Sequence, residues 1–356
     1  MKKDRIRRVI GKLNEMGMGQ LIISDPDSLY YLLGHSYDPG ERLLALYIDD
    51  EGRAVLFHNH MFFFPEQEDL QIAYYDDIDD YTGLVAETVR PGTLGVDKFL
   101  RAKFLVPLMS RRPDIRVELG SGAVDWARKY KDDEERALMR AASLVNDYAV
   151  EQAISHVGED LDEMEFGDIV CDAHMSRGAD SRMEQLVCLG VNTAEPHHVI
   201  DRSRLTGPGP ALFDIYAPVN HYHCDMTRTV FWKDVTPKQR EVYELVREAN
   251  AAGKAAVKPG VPLKDIDKAA RSVIEEAGYG RYFTHRLGHG CGLGLHEPPD
   301  VSSASEDIAG PGMCFSVEPG IYIPGEFGVR IEDLVIVTED GAECLNHYPR
   351  ELQVID

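Results

Sequence analysis

The first part of the chain alternates between a helical and a strand-like pattern of apolar positions. Five apolar residues near the N-terminus recur at the spacing of one helix face: Ile6, Val9, Ile10, Leu13 and Met16. The pattern stops at Gly17, a residue type that commonly ends a helix. The segments QLIIS, LLALYID and RAVLFH then predict short strands, and DDEG predicts a hairpin turn between the last two. The chain therefore begins as an α/β domain.

A change of pattern near residue 127 predicts a domain boundary. Strand and helix candidates (QIAYY, FLRAKFLVPLMS and IRVELG) continue to about Trp126, and the charged run ARKYKDDEERALMR then opens a long helix. We expect one domain at 1–126 and a second at 127–356. The total length agrees, because 356 residues are too many for one ordinary core.

The second domain contains a weak internal repeat. Long helices predicted at about 132–156 and 237–257 lead into GEDLDEMEFGDIV and GVPLKDIDKAARSV, segments that lie 102 residues apart. Thr236, Pro237 and Gln239 form a capping box with proline at the first helical position of the second long helix. Two α+β halves facing each other across a shared sheet would explain the repeat. Chance similarity between amphipathic helices is the alternative.

Composition narrows the class of partner. The chain is 44% hydrophobic and 28% charged, as in soluble globular proteins, and its net charge of -23 argues against nucleic acid or an anionic membrane surface as the partner. The basic N-terminus lacks the apolar run of a secretory signal, and no stretch is long enough to span a bilayer. Six scattered cysteines without a C-x-x-C pair suit a reducing cytoplasm. Cys224 and Cys291 lie beside candidate site residues, but neither has a partner pattern that favours a thiolate ligand or nucleophile.

Two hairpins each carry a pair of carboxylates. In ALFDIYAPVNHYHCDMTRTVFW, a turn centred between Val219 and Asn220 would place Asp214 opposite Asp225, with β-carbons about 5 Å apart. In MCFSVEPGIYIPGEFGVRIEDLVIV, Glu318 and Glu332 flank a turn with its midpoint at Gly325.

Facing carboxylates repel each other unless one is protonated or a cation lies between them. A site made of these four acids and one histidine, His289, suits Mn²⁺, Fe²⁺, Co²⁺ or Zn²⁺. The negative charges of four carboxylates balance the positive charges of two such ions. Paired metals about 3.5 to 4 Å apart share a bridging water and make a hydroxide nucleophile at neutral pH. A solvent-exposed acidic face is the alternative, although the apolar neighbours of Asp214 disfavour it.

The glycine-rich stretch RLGHGCGLGLHEPP holds His289 and His296, seven residues apart. A helical zinc motif of the H-E-x-x-H type is excluded, because Asp300 stands where its second histidine would be and two prolines break a helix. In a regular strand the two imidazoles would point to opposite faces unless the glycines permit a bulge or turn. The two histidines are therefore expected to serve different tasks, and a loop with two solvated histidines is the alternative.

These motifs together resemble the pita-bread metallopeptidases, which include methionine aminopeptidase, proline-specific aminopeptidase and prolidase. The resemblance rests on D…D-x-T-R-T, G-H-G-x-G…H-E-x-P, E-P-G-I-Y and R-I-E-D, between Asn192 and Asp333. The N-terminal 126 residues resemble the smaller creatinase-like domain of prolidases. The resemblance implies an α+β chain with a C-terminal pita-bread catalytic domain after an N-terminal α/β domain.

The resemblance also implies residue roles. The metal ligands would be Asp214, Asp225, His289, Glu318 and Glu332, with Asp225 and Glu332 bridging two divalent ions. Glu318 would carry a proton from the metal-bound water to the departing nitrogen. His296 would stabilise the developing oxyanion. His197 would line the substrate pocket, and the adjacent His198 would have no role in the site.

Strand period adds two supporting residues. Thr227 lies two residues after Asp225 and Arg330 two before Glu332, so each shares a face with its ligand and could hydrogen-bond it. Arg330 could instead pair with a substrate carboxylate, and an ordinary cross-strand pair is the alternative for both.

Four positions depart from the family pattern. Tyr216 and His221 stand where glycine is usual and Cys224 where serine is usual. Tyr216 shares a face with Asp214 and is expected to fill part of the substrate pocket. Some prolidases place an arginine shortly after H-E to hold the free carboxylate of a dipeptide, and this chain has Asp300 after HEPP.

The sequence thus predicts a cytoplasmic metallopeptidase with two divalent ions, Mn²⁺ or Co²⁺ before Zn²⁺ or Fe²⁺. A metal-bridged hydroxide would hydrolyse the Xaa-Pro bond of dipeptides or short peptides. The alternatives are an Xaa-Pro aminopeptidase acting on longer peptides, a hydrolase of a small non-peptide amide, and a non-catalytic peptide-binding module. A homodimer is implied by the resemblance alone.

Overall fold

The computed structural model describes residues 1–356 and divides into two compact units, Met1–Arg128 and Lys129–Asp356. None of its helices combines the length and the apolar composition needed to cross a membrane. Each unit has its own hydrophobic core.

The first unit is built on one six-stranded sheet. Its strands are β1 (Gln20–Ile23), β2 (Ala45–Asp49), β3 (Ala54–Asn59), β4 (Gln71–Tyr75), β5 (Gly92–Val96) and β6 (Ile115–Leu119). Its helices are α1 (Lys3–Glu15), α2 (Pro26–Leu33), α3 (Tyr81–Thr88), α4 (Ala102–Arg111) and α5 (Ser121–Lys129). The strand order is β4-β3-β2-β1-β5-β6, with β2 antiparallel to both of its neighbours.

The predicted start of this unit is confirmed. Helix α1 ends at Glu15, and Gly17 follows in the left-handed region at φ 77°. Strands β1, β2 and β3 are buried along their whole length, which explains why their segments are nearly continuous apolar runs.

The second unit contains four helices and eleven strands. The helices are α6 (Asp133–Ser155), α7 (Glu163–Ser176), α8 (Pro237–Ala256) and α9 (Leu263–Glu276). The strands are β7 (Leu186–Leu189), β8 (Gly209–Val219), β9 (Tyr222–Trp232), β10 (Gly288–Gly290), β11 (Glu297–Val301), β12 (Cys314–Val317), β13 (Gly320–Ile323), β14 (Phe327–Arg330), β15 (Asp333–Val337), β16 (Ala342–Cys344) and β17 (Val354–Ile355).

Helix caps determine where the long helices begin. Asp132 caps α6 and Thr236 caps α8, each with a full capping box, and Pro237 opens α8 as predicted. The ends at Ser155 and Ala256 lie within one residue of the predicted ends.

Each half of the second unit has its own sheet, so the expected single shared sheet is wrong in that detail. One sheet has the order β17-β9-β8-β7, and the other has the order β11-β10-β12-β15-β16, with β13 and β14 as a separate pair. Helices α6 and α7 pack on the first sheet, while α8 and α9 share a core with the second. The halves meet beside β9, where the Glu332 amide donates to the Thr227 carbonyl at 3.1 Å.

The register of the first hairpin differs from the prediction by one residue. Val219 pairs with Tyr222, so Asp214 lies opposite Thr227 and Asp225 lies opposite Tyr216. The predicted direct pair of Asp214 and Asp225 is therefore wrong.

The turn lies one position later than expected because a third residue holds it there. Asn220 and His221 form a two-residue turn with φ of 50° and 68°. The Asp180 carboxylate accepts both of their amide hydrogens, at 3.1 and 2.6 Å. Asp214 and Asp225 nevertheless remain on one face of the hairpin, because a shift of the turn centre by a whole residue leaves the face of each residue unchanged.

The second hairpin has the predicted register. Gly320 pairs with Arg330, and Val317 pairs with Asp333, so both ladders are symmetric about Gly325. Glu318 and Glu332 lie at matching positions in the gap between these two ladders.

Candidate active site

The second unit contains a cavity of about 200 Å³ with charged walls. Nine residues predicted for the site line it: His197, Asp214, Tyr216, Asp225, His289, His296, Glu318, Arg330 and Glu332. Five further residues complete the lining: Leu186, Pro196, His285, Arg286 and Leu295. Thr227 is fully buried and is not part of the cavity lining.

Five strands or strand ends supply the acids and the histidine. They are Asp214 on β8, Asp225 on β9, His289 on β10, Glu318 just after β12 and Glu332 just before β15. Because alternate residues of a strand share a face, these residues face the cavity while their immediate neighbours in the chain point away from it.

Four of these five residues lie close together: Asp225, His289, Glu318 and Glu332. The His289 Nε2 atom lies 3.6 Å from Asp225 Oδ2 and 3.4 Å from Glu318 Oε1. One atom each of Asp225, His289 and Glu332 lie within 4.8 Å of one another. Such a cluster of oxygen and imidazole nitrogen atoms could hold divalent metal ions.

Burial and mutual repulsion disfavour the ionised form of these acids. Burial, then the charges of Asp214 and Glu318, raise the pKa of Asp225 well above its ordinary value. Burial, then Asp225 and Glu318, do the same to the pKa of Glu332. Burial lowers the pKa of His289 to about 3, so its imidazole is neutral, which is the form that binds metals.

Two carboxylate oxygens in the cluster are orphaned. Asp225 Oδ1 and Glu332 Oε1 are buried and have no hydrogen-bond partner. A buried acceptor without a donor costs free energy, and the great majority of buried polar atoms are paired. A cation between the two carboxylates would satisfy both oxygens.

A second acid and histidine group in the same unit is different. Glu163, His198 and Asp201 also lie close together. The Glu163 carboxylate, however, accepts hydrogen bonds from the Leu189 and Asp201 amides and from the side chains of Asn192 and His198. This acid is already satisfied by protein donors, and it fixes the loop that carries His197.

The two supporting residues bond across strands and not along them. Thr227 Oγ1 donates to Glu332 Oε2 at 2.7 Å, and Arg330 Nη2 lies 2.6 Å from Asp214 Oδ2. The expectation that each would bond the ligand two residues away on its own strand is therefore wrong. Residues i and i+2 of a strand lie about 6.6 Å apart, whereas a facing strand is about 4.8 Å away.

Arg330 is held on all sides by protein groups. Its Nε donates to Thr227 Oγ1 at 3.0 Å, and its Nη1 donates to Tyr322 Oη at 2.8 Å. The side chain is only 3% exposed. Its geometry favours a positioning role for Asp214 over an ion pair with a substrate carboxylate.

The two histidines of the glycine-rich stretch come together because the β10–β11 pairing is irregular. His289 pairs with Asp300 but Gly290 pairs with Glu297, which is a bulge of the kind the odd spacing requires. The rings of His289 and His296 lie 4.1 Å apart and nearly perpendicular. A β-carbon on Gly288 would overlap the Ser316 carbonyl oxygen, so that position requires glycine.

A buried ion pair holds the loop that carries His296. Lys131 Nζ lies 2.5 Å from Glu297 Oε1, and both side chains are almost fully buried. The other oxygen of Glu297 accepts from the Gly294 amide at 3.2 Å. No local pattern indicates the role of Lys131, because 166 residues separate it from Glu297 and no spacing rule connects them.

His285 and Arg286 are site residues that the sequence analysis missed. His285 bonds Tyr322 Oη through Nε2 at 2.9 Å, and burial lowers its pKa to about 3. Arg286 forms an ion pair with Asp300. Both residues stand directly before the glycine-rich run, and their position next to L-G-H-G was the available signal.

Tyr216 lies across the β8–β9 ladder from Asp225, and it lines the cavity as expected. Burial, then the charges of Asp214 and Asp225, raise the pKa of its phenol to about 12. The phenol therefore stays protonated near neutral pH and is available as a hydrogen-bond donor.

Comparisons with known proteins show the family of the chain. Residues 137–339 match the model of metallopeptidase family M24, and residues 5–129 match the creatinase/prolidase N-terminal domain. An uncharacterized peptidase of Staphylococcus aureus (strain USA300) is 34% identical over 97% of this chain and 99% of its own length.

Two solved structures are similar over nearly the whole chain. A prolidase from Thermococcus sibiricus is 28% identical with a TM-score of 0.92, covering 100% of this chain and 99% of its own. An Xaa-Pro dipeptidase from Bacillus anthracis is 28% identical with a TM-score of 0.92, covering 100% of both chains. The predicted pita-bread fold is confirmed, and the chain belongs to metallopeptidase family M24.

Proposed function

We propose that this metallopeptidase hydrolyses the Xaa-Pro bond of dipeptides with two divalent metal ions. The observation that carries the proposal is the meeting of four acids and His289 in one cavity, where Asp225 Oδ1 and Glu332 Oε1 are buried without a partner. Buried acids arranged in this way are stable as anions only if cations bind among them.

The donor set fits two ions of the Mn²⁺ or Co²⁺ type, with Zn²⁺ and Fe²⁺ as alternatives. Asp214, Asp225, His289, Glu318 and Glu332 would hold them. Metal ions bound here would supply Lewis-acid chemistry, which polarises the scissile carbonyl and lowers the pKa of the attacking water.

Glu318 is the residue that moves the proton. Ser316 Oγ lies 3.1 Å from Glu318 Oε1 and orients the carboxylate. In the metal-free protein burial raises the pKa of Glu318 to about 7, so this carboxyl can exist in both protonation states near neutral pH. Glu318 accepts the proton of the attacking water and delivers it to the nitrogen of the departing proline.

The other cavity residues hold the substrate. His296 borders the cluster beside His289 and would stabilise the charge that develops on the carbonyl oxygen. His197 and Tyr216 line the same cavity and would contact the peptide. We also propose a homodimer, for which the family resemblance is the only support, and sedimentation of the purified protein tests it.

The choice of an Xaa-Pro dipeptide rests on two observations. The prolidase and the Xaa-Pro dipeptidase described above align with this chain from end to end. The cavity volume of about 200 Å³ is below the range of roughly 300 to 1,000 Å³ that is usual for drug-sized ligands, so it suits a small substrate.

The test is a substrate panel assayed with metal-stripped protein to which Mn²⁺ or Co²⁺ is returned. We expect hydrolysis of Ala-Pro, slower hydrolysis of Ala-Ala and of tripeptides such as Ala-Pro-Ala, and no hydrolysis with excess chelator. Faster cleavage of the tripeptides would assign an aminopeptidase, and cleavage of small amides alone would overturn the peptidase proposal. Full activity in excess chelator would exclude the metal mechanism.

A further inference from the structure

Arg286 is a cation of the active-site cavity whose guanidinium has N–H groups that are not hydrogen-bonded to the protein. It lines the cavity, and its side chain is 38% exposed. Its guanidinium contacts one protein group, the Asp300 carboxylate, and does so through Nη1. The N–H groups on Nε and Nη2 have no protein partner.

The other arginine of the cavity has no such capacity. The nitrogens of Arg330 bond Asp214, Thr227 and Tyr322, and its side chain is 3% exposed. Of the two, Arg286 is therefore the cation that can accept an anionic group of a ligand. A guanidinium with two N–H groups available binds a carboxylate in a planar, two-pronged arrangement.

The position of Arg286 selects which anion it would bind. The cavity measures about 200 Å³, and Asp225, His289 and Glu332 in its wall form the cluster that could hold metal ions. A dipeptide cleaved there carries one obligatory carboxylate, at its C-terminus, one residue beyond the scissile bond. The pair of Asp300 with His289 across the β10–β11 ladder keeps Arg286 close to the cluster.

We propose that Arg286 is a specificity-determining residue that binds the C-terminal carboxylate of a dipeptide substrate. This inference rests on the proposed function. Asp300 orients the guanidinium through one nitrogen, and the substrate takes the remaining donors. The chain is then selective for a free C-terminus directly after the cleaved bond.

The experiment compares two substrates that differ in one group, Ala-Pro and its C-terminal amide. For the wild-type protein loaded with Mn²⁺ we expect kcat/KM to favour Ala-Pro. In Arg286→Met the value for Ala-Pro should fall about 10- to 100-fold, mainly through KM, while the value for the amide changes less than about 3-fold. Arg286→Lys should retain part of the preference, because it keeps the charge and loses the planar fork.

Arg281→Met is the matched control, since Arg281 is an exposed arginine outside the cavity that contacts Tyr282. It should leave the ratio of the two substrates unchanged. An equal loss for both substrates in Arg286→Met would show a merely structural residue and overturn the inference. If the wild-type protein cleaves neither substrate, the proposed function fails instead.

Binding without turnover and a substrate with a displaced carboxylate test the same assignment. Calorimetric titration of the metal-free protein should show tighter binding of Ala-Pro than of its amide, and Arg286→Met should abolish this difference. Glu-Pro amide carries its carboxylate on the first residue. If Arg286→Met impairs Glu-Pro amide more than Ala-Pro, the anion comes from a side chain and the assignment to the C-terminus is wrong.

Discussion

Glu332 and Asp333 are adjacent in the chain and both fully buried, yet they lie in opposite electrostatic surroundings. Asp333 contacts Arg228 at 2.8 Å and Arg350 at 2.6 Å, and it also pairs with Lys254. Glu332 receives one hydrogen bond, from Thr227, and its charged neighbours include Asp225 and Glu318.

The pKa values of the two residues move in opposite directions. Burial alone would raise the pKa of Asp333, but Arg228, Arg350 and Lys254 lower it below its ordinary value. Burial and the neighbouring acids raise the pKa of Glu332. Asp333 has enough positively charged neighbours to be stable as an anion, so it stabilises the fold. Glu332 lacks such neighbours, so its ionised form depends on cations that bind from solution.

The largest effect should come from Asp225→Asn, which removes the proposed shared ligand. Removing a residue that hydrogen-bonds a metal ligand lowers metal affinity or activity roughly 10- to 100-fold. Removing the ligand itself should therefore lower kcat/KM by more than about 100-fold. The free energy of unfolding of the metal-stripped protein should not fall, because a repelling buried charge is removed. Assays with Mn²⁺ and urea unfolding with chelator measure the two effects, and retention of a tenth of the activity would contradict the ligand assignment.

Asp333→Asn, unlike Asp225→Asn, should destabilise the metal-stripped protein. It leaves three cations without their carboxylate, so the free energy of unfolding should fall by about 3 to 5 kcal/mol. Urea unfolding of the metal-stripped protein measures this. The matched control is Glu339→Gln, an exposed acid in the same half, which should change it by less than about 0.5 kcal/mol. Equal effects of the two substitutions would refute a structural role for the Asp333 cluster.

The contribution of Glu318 to the pH dependence of stability should reverse when metal is added. Burial raises the pKa of Glu318 from 4.5 to about 7, so between these values the folded metal-free protein binds more protons than the unfolded chain. This contribution of Glu318 is fully present below pH 4.5 and is lost as pH rises to 7, by roughly 3 kcal/mol.

With Mn²⁺ bound, the carboxylates must be ionised, so stability should rise with pH over the upper part of this window. Urea unfolding at several pH values, with chelator and with Mn²⁺, tests the reversal. The same slope in both conditions would mean that the ions do not bind this cluster.

The smallest effect should come from Thr227→Val. It removes the hydroxyl that donates to Glu332 at 2.7 Å, and the loss should be roughly 10- to 100-fold in metal affinity or kcat/KM. Thr227→Ser keeps the hydroxyl and should remain close to wild type. Similar losses in both variants would indicate packing as the role of Thr227.

Local patterns predicted much of the scaffold of this site. Strong local signals determine where α1 ends and where α8 begins, because Gly17 and the capping box at Thr236 act within a few residues. The symmetric register about Gly325 followed from one clear turn between two apolar strands.

Tertiary contacts decided what the sequence could not show. The turn at Asn220 lies one residue later than predicted, because Asp180, 40 positions away, accepts its amide hydrogen. Thr227 bonds Glu332 and not Asp225 because two sheets meet there, which no strand period can indicate. The roles of His285 and Arg286 depend on which groups surround the cavity, and that information is absent from the local pattern.

The Lys131–Glu297 pair sets a practical limit on how the enzyme can be shortened. The region matched by the family model begins at residue 137, six positions after Lys131. A truncated chain that starts there would lose the cation beside Glu297 together with Asp132, the cap of α6. A catalytic fragment prepared for crystallisation or inhibitor screening should therefore start no later than residue 129.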